Sequence, residues 1–423
     1  MSIVDEFEWR GMLYDASDGT REMFERERVT AYVGFDPTAS SLHVGSLLPI
    51  MALARLQRAG HSPIALVGGG TGLIGDPSGK SQERTLLSTD TVDANVMGMR
   101  AQLERFLDFD SAANPARLIN NADWLRSLSL LEFLRDTGKH FTVNYMLAKE
   151  SVKRRLGGDE GISFTEFSYL LLQSYDYLVL HQRLGCNLQM GGSDQWGNIT
   201  AGCDLIRKVA GGKAHGLVFP LVVTSSGTKF GKTEAGTVWL DPVRTSPFRF
   251  YQFWLNTDDR DVVKYLKFFT WLDRGTIADL EATLPETSAS RVAQRTLARE
   301  VTSLVHGEHE LARAEKASAV LFGGSLREAD PADLLLVFDD VPSTSMTRDE
   351  FERLTVAAAT VGAGLAASKA EASRLIKQGG LYLNGERVND DRRLLTLADT
   401  IDGRLVIFQK GQRERRIVRL EQA

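Results

Sequence analysis

The 423-residue chain is 43% hydrophobic and 25% charged, an ordinary globular composition, and on length alone it holds about two to four domains. Its two cysteines, Cys186 and Cys203, lie in no C-x-x-C pair and beside no histidine cluster, which argues against a disulfide framework or a structural zinc site and fits a reducing, cytoplasmic setting. The net charge of −5 is uneven: residues 366–423 carry 12 Lys/Arg against 8 Asp/Glu, so a basic C-terminal end, either a nucleic-acid module or a solvated face, follows an acidic body.

The N-terminus, MSIVDEFEWRG, is acidic and lacks an apolar h-region or an Arg-rich amphipathic pattern, so no secretory signal or transit peptide is expected. No apolar run approaches the length of a membrane span. Four β-branched or apolar runs follow, VTAYVGF, SPIALVGG, ARLINN and CNLQMGG, each leading into a Gly-rich or polar turn. Alternating with helical patterns, they predict an α/β fold with a doubly wound, Rossmann-like parallel sheet over residues 1–240 and ligands at the carboxyl ends of its strands. From Ser246-Pro247, a good helix start, FRFYQFWLN, DVVKYLKFFTWL, ASRVAQRTLAREVTSLVHG and EHELARAEKASAVLFGG predict an α-helical domain over 246–323, with Gly307 and Gly323 as stops. Residues 324–350 are turn-rich and read as a linker. Residues 351–423 are expected to form a small α+β domain. Ser368 and Glu371 have capping-box spacing before the helix KAEASRLIKQ, and Asn384-Gly385 in LYLNGERV is a hairpin signal.

Three stretches carry chemistry. LVGGGTGLIGDPSGKS, from Leu66 to Ser81, ends in Gly-Lys-Ser, but a P-loop needs its first glycine where this chain has Ile74. Gly75 is one residue too close, and Pro77 removes an N–H donor, so the stretch is not a P-loop. GFDPTASSLHVGSL, from Gly34 to Leu47, turns at Asp36-Pro37-Thr38 and presents His43-Val44-Gly45-Ser46 where a helix begins, a geometry suited to phosphate. Pro49 requires that helix to start near Ser46 or to kink. GTKFGKTEAG, from Gly227 to Gly236, holds Lys229 and Lys232 in a Gly-rich loop, where they can clamp a polyphosphate while the loop moves. Read separately, the second stretch is also a plain strand-turn-helix and the third a solvated loop.

Taken together, HVGS and KFGKT resemble the paired His-x-Gly-His and Lys-Met-Ser-Lys-Ser signatures of the class I aminoacyl-tRNA synthetases. Ser46 replaces the second histidine, and Phe230, Gly231 and Thr233 replace the central and last residues of the loop. The strings YVGFDPTASSLHVG, LVGGGTGLIGDPSGKSQERT, GKHFTVNYMLAKESV, GISFTEFSYLLLQSYD and MGGSDQWGNI narrow the resemblance to the bacterial-type tyrosyl-tRNA synthetases. It covers nearly the whole chain, including a C-terminal RNA-binding module of the kind named after a small-subunit ribosomal protein. A tryptophan-specific synthetase shares the fold but would not need Tyr32 with Asp176, and a catalytically silent RNA-binding relative would have broken ATP motifs.

The resemblance implies that Asp176 accepts a hydrogen bond from the substrate phenol and Tyr32 donates one to it, while Asp76, Tyr169 and Gln173 receive the ammonium and Gln195 lies near the carboxylate. Tyr169, Gln173 and Asp176 fall at i, i+4 and i+7, one face of one helix. For ATP it implies Gly34, Asp36, Thr38, His43, Gly45, Gly191, Gly192, Asp194, Lys229, Phe230, Gly231 and Lys232. Charge developing in the transfer would be met by His43, Lys80, Arg84, Lys229 and Lys232, with Ser46 and Thr233 completing the signatures; Ser46 can hydrogen-bond but carries no charge. Also implied are Mg²⁺ with the ATP and no other metal, a homodimer built on an insertion at residues 120–155, and no membrane. Its tRNA(Tyr) would bind across the helical region and the basic end, where Arg413, Arg415, Arg416 and Arg419 are candidate phosphate contacts.

Overall fold

The computed structural model describes residues 2–78, 86–157, 161–228, 230–233, 236–287, 290–321, 326, 334, 338, 341–411 and 414–421. They fall into two compact units, Met1–Thr245 with Trp254–Val305, and Ser246–Phe253 with His306–Ala423.

The first unit is built on a six-stranded sheet of β1 (Asp15–Ala16), β2 (Thr30–Phe35), β3 (Ser62–Val67), β4 (Arg117–Asn120), β5 (Leu188–Gly192) and β6 (His215–Phe219), in the order β1-β6-β5-β2-β3-β4. The strands from β2 to β6 pair in parallel, and β1 lies antiparallel on the edge. The chain moves outward from β2 through β3 to β4, then returns to the other side of β2 for β5 and β6. That reversal is a topological switch point, and ligands bind outside the carboxyl ends of the strands at such points. Across it the register sets Tyr32 of β2 beside Gln189 of β5.

All four runs read as strands are strands; the central ones are covered on both faces, β3 being buried from Pro63 to Val67, while β4 at the sheet edge is exposed at Arg117 and half-buried beyond it. The helix Leu47–Arg58 follows β2 and is buried along nearly its whole length. Pro49 falls in its first turn, where no intrahelical N–H is required, so a start next to Ser46 accommodates it. The helix Phe164–Leu184 is capped by Ser163, whose Oγ accepts from the Glu166 N–H, and ends at Gly185 with φ +64°. A short ribbon, β7 (Lys232–Thr233) and β8 (Gly236–Thr237), closes the loop of the second signature.

The helices Asp259–Phe269 and Arg274–Thr287 cluster with this unit and not with a separate helical domain. The cause is long-range. The buried guanidinium groups of Arg10 and Arg55 donate to the carbonyls of Lys267 in the last turn of helix Asp259–Phe269, of its C-cap Thr270 and of Leu272 just beyond it, at 2.6–2.8 Å.

The second unit carries a five-stranded sheet of β9 (Ser343–Thr347), β10 (Leu381–Leu383), β11 (Glu386–Arg387), β12 (Leu405–Lys410) and β13 (Glu414–Glu421), ordered β11-β10-β12-β13-β9. Successive residues of β12 serve opposite faces. Val406 and Phe408 join Phe351, Val356, Leu381 and Val418, while Leu405 and Ile407 join Leu334, Phe338 and Ile417. Part of the stretch read as linker is therefore built into this sheet: β9 runs parallel to β13, and Leu334 and Phe338 fill one of its cores. Asn384 and Gly385, at φ +47° and +83°, make the hairpin turn between β10 and β11 that their sequence announces. Gly323 lies outside the described residues.

Candidate active site

A cleft of about 760 Å³ opens at the carboxyl ends of β2 and β5. Tyr32, Gly34, Asp36, Thr38, His43, Gly45, Ser46, Asp76, Tyr169, Gln173, Asp176, Gly191, Gly192, Asp194, Gln195, Phe230, Gly231 and Lys232 all line it. Thr233 does not; its hydroxyl donates to the Gly236 carbonyl at 3.1 Å across the β7–β8 turn. Lys80, Arg84, Lys229 and Arg413 lie outside the described residues.

At the deep end, Asp176 is 2% exposed, and both its oxygens are held by groups that sequence reasoning missed. The Asn121 amide donates to Oδ2 and the Trp124 indole N–H to Oδ1, each at 2.8 Å. Burial pushes the Asp176 carboxyl up to about 7, and these two donors oppose the shift. Tyr32, 1% exposed, has a hydroxyl with no hydrogen-bond partner among the described residues. Burial and the nearby Asp176 hold its pKa well above the ordinary value, so it remains an O–H donor. Gln189, its register neighbour, also buries an Oε1 without a partner among the described residues. Leaving such groups unpaired in a folded protein is costly, and here both face the cleft.

Further out, four residues share one network. Asn198 donates to Gln173 Oε1 at 2.9 Å, Gln173 donates to Gln195 Oε1 at 3.3 Å, and Gln195 donates to Asp76 Oδ2 at 2.7 Å. Asp76 Oδ1 accepts from the Ser78 N–H at 2.9 Å. The chain of amides orients an anionic group toward the cleft, as a substrate ammonium requires. Tyr169 donates to Asp36 Oδ2 and Thr71 to Asp36 Oδ1, both at 2.9 Å, which ties the helix Phe164–Leu184 to the turn after β2.

The outer end joins the two signatures. His43 caps the turn Val44–Ser46, its Nδ1 accepting from the Gly45 N–H at 3.0 Å. Gly231 has φ +79°, and a Cβ there would lie 2.5 Å from Val44 Cγ2, so the glycine is required both by conformation and by the approach of the first signature. Phe230 is 4% exposed and packs against Trp254, Tyr265 and Phe269, with ring centroids 4.8–5.7 Å away. Lys232 is exposed at the mouth, donating to Thr237 Oγ1. In the second unit, Arg419 is exposed on β13, whereas Arg415 and Arg416 are half-buried and bonded to Gln409 and to the Arg415 carbonyl. Among the described residues no group of three His, Cys, Asp or Glu is placed to hold a metal ion.

A doubly wound sheet whose crevice carries both signatures beside a buried polar pocket defines a class I aminoacyl-tRNA synthetase site. Residues 25–323 match the family model for tRNA synthetases class I (W and Y), and residues 333–418 match that for the tyrosine–tRNA ligase SYY-like C-terminal domain. The chain is 57% identical to the tyrosine–tRNA ligase of Roseiflexus castenholzii, over 99% of both chains. To that of Geobacillus stearothermophilus it is 51% identical, over 99% of this chain and 100% of the other. A C-terminally truncated mitochondrial tyrosyl-tRNA synthetase of Aspergillus nidulans superposes with a TM-score of 0.70 at 33% identity, covering 76% of this chain and 94% of that one. The chain belongs to the tyrosine–tRNA ligases, an ATP-dependent family of class I.

Proposed function

We propose that this cleft activates L-tyrosine with ATP and then charges tRNA(Tyr). A carboxylate oxygen of tyrosine attacks the α-phosphorus, the bond to the β-phosphate bridging oxygen breaks, and pyrophosphate leaves. A hydroxyl of the terminal ribose then attacks the tyrosyl carbonyl and releases AMP. No side-chain nucleophile takes part. The protein aligns the reactants and meets the charge that develops on phosphate.

The observation that carries this reading is the Tyr32 hydroxyl, buried beside Asp176 without a partner among the described residues. A phenol placed between them accepts from Tyr32 and donates to Asp176, so both of its capacities are used. Asp76, Tyr169 and Gln173 receive the ammonium, and Gln195 lies by the carboxylate. Gly34, Asp36, Thr38, Gly45, Gly191, Gly192 and Asp194 border the nucleotide. His43 and Lys232, with Lys80, Arg84 and Lys229, meet the phosphates. Mg²⁺ enters as the partner of ATP.

The reading extends to a cytoplasmic homodimer. Leu130, Leu131, Leu134 and Val143, between 47% and 77% exposed, form an apolar set in the 120–155 segment that a second copy would cover. For tRNA it assigns phosphate contact first to Arg419, the exposed arginine of β13. The test is amino-acid-dependent ATP–pyrophosphate exchange without tRNA. Exchange with tyrosine and not with phenylalanine or tryptophan is expected; a tryptophan preference would overturn the pocket assignment.

A further inference from the structure

We propose that Trp239, braced by Arg244, is a positioning residue for the His43 imidazole. The inference rests on the reading that His43 serves adenylate formation. Neither Trp239 nor Arg244 belongs to the two signatures, and both lie just beyond the second.

Backbone pairing brings them there. The Val44 N–H donates to the Val238 carbonyl at 3.0 Å, the Leu240 N–H to the Leu42 carbonyl at 2.9 Å, and His43 and Trp239 are antiparallel bridge partners. Val238 in turn donates to the Gly231 carbonyl at 3.0 Å, so the first signature, this segment and the second signature form one hydrogen-bonded sequence. Directly opposed residues of an antiparallel pair project their side chains to the same face. Accordingly the Trp239 indole meets the His43 ring edge to face, with centroids 6.1 Å apart at 68°.

Trp239 is itself held. The Arg244 guanidinium carbon lies 3.7 Å from its ring centroid, with Nη1 3.4 Å from Ser40 Oγ, and the Trp239 N–H donates to Thr245 Oγ1 at 2.9 Å.

The imidazole needs this support. Its χ2 torsion is broad and has no sharp staggered well, so packing decides where the ring points. Nδ1 accepts from the Gly45 N–H, which assigns the proton of the neutral ring to Nε2, the donor that phosphate oxygens require. The ring also lies over Gly45, where a Cβ would be 2.7 Å from Cε1. Gly45 sets one edge of the imidazole and Trp239 sets its plane. Losing one such aromatic contact corresponds to a rate loss of about three- to tenfold if the contact is fully expressed in the transition state.

The experiment is a double-mutant cycle on the full-length enzyme, reading kcat and KM of tyrosine-dependent pyrophosphate exchange for Trp239→Leu, Trp239→Phe and Arg244→Leu, each alone and with His43→Ala. Trp239→Leu is expected to lower kcat about three- to tenfold at unchanged KM for tyrosine, Trp239→Phe to recover most of the loss, and both effects to vanish with His43→Ala. An equal loss with and without His43 overturns the proposal, since Trp239 would then act on ATP or on folding. If His43→Ala alone leaves kcat unchanged, the role of His43 falls and the proposal falls with it. Should Trp239→Leu fail to fold, Arg244→Leu keeps the ring and removes only its brace, and a loss that persists with His43→Ala is again the refuting result.

Discussion

Replacing Tyr32 with Phe should move stability and specificity in opposite directions. The hydroxyl is buried at 1% exposure and has no partner among the described residues, while the ring packs edge to face on Tyr177 at 5.3 Å, a contact that Phe retains. Removing an unpaired buried hydroxyl relieves a desolvation cost of about 1–3 kcal/mol, so the ligand-free variant should be more stable, by about 1 kcal/mol after relaxation. The same change removes one hydrogen bond to the substrate phenol, worth about 0.5–1.5 kcal/mol, or about two- to twelvefold in tyrosine affinity. Phenylalanine makes no such bond, so its activation should change little and the tyrosine-to-phenylalanine ratio should shrink by the same factor. Urea unfolding without ligand gives the first quantity, and pyrophosphate exchange with each amino acid gives the second. A variant that is less stable while its discrimination is intact would mean that the hydroxyl is satisfied within the protein and does not meet the substrate.

Because burial raises Asp176 to about 7, above the ordinary 3.8, the ligand-free protein binds a proton there that the unfolded chain has released. The Asp176 contribution to stability should fall as pH rises from about 4 to about 7 and level off above; the difference between the native chain and Asp176→Asn isolates it, because His61 and His215, lowered by burial, act in the opposite sense. Tyrosine needs the ionised acceptor, so KM for tyrosine should rise as pH drops below about 7; a flat KM from about pH 5.5 to 8.5 would exclude Asp176 as that acceptor. Trp124→Phe removes one of the two donors to Asp176 and should weaken tyrosine binding about fivefold while leaving ATP binding unchanged, as equilibrium titrations of each ligand would show. A chain ending before residue 333, where the C-terminal family match begins, should keep pyrophosphate exchange and lose tRNA charging. A cut near 350 removes β13 and leaves β9 without its sheet and Leu334 and Phe338 without their core partners, so it should yield an aggregation-prone product by light scattering.

Much of the catalytic sheet is legible in the sequence, since parallel strands buried on both faces appear as unbroken apolar runs. That His43, Asp176 and the loop at Gly231 share one cleft is legible because the motif strings that carry them are long and ordered. What escaped depends on contacts between distant segments. Asn121 and Trp124 reach Asp176 across more than fifty positions, and neither residue type announces that task. Gln189 likewise acquires meaning only when β5 is set beside β2, and Asn198 only when its helix meets Gln173 of the helix Phe164–Leu184. The helix Asp259–Phe269 is legible in the sequence as a helix, but its placement depends on Arg10 and Arg55, which no local pattern connects to it. The edge strand β9, Ser-Thr-Ser-Met-Thr, has one apolar side chain, too weak an alternation to separate it from a loop.

The burial of Phe230 sets a limit on reach. Its ring is rooted among Trp254, Tyr265 and Phe269, and Lys232 follows only two residues later, a tether of about 7 Å at full extension. As long as that root holds, the ammonium of Lys232 sweeps an arc about a fixed post, its travel set by two backbone links and its own side chain. The loop can adjust its charge to an incoming polyphosphate, but it cannot carry that charge away from the cleft without first drawing an aromatic ring out of its stack.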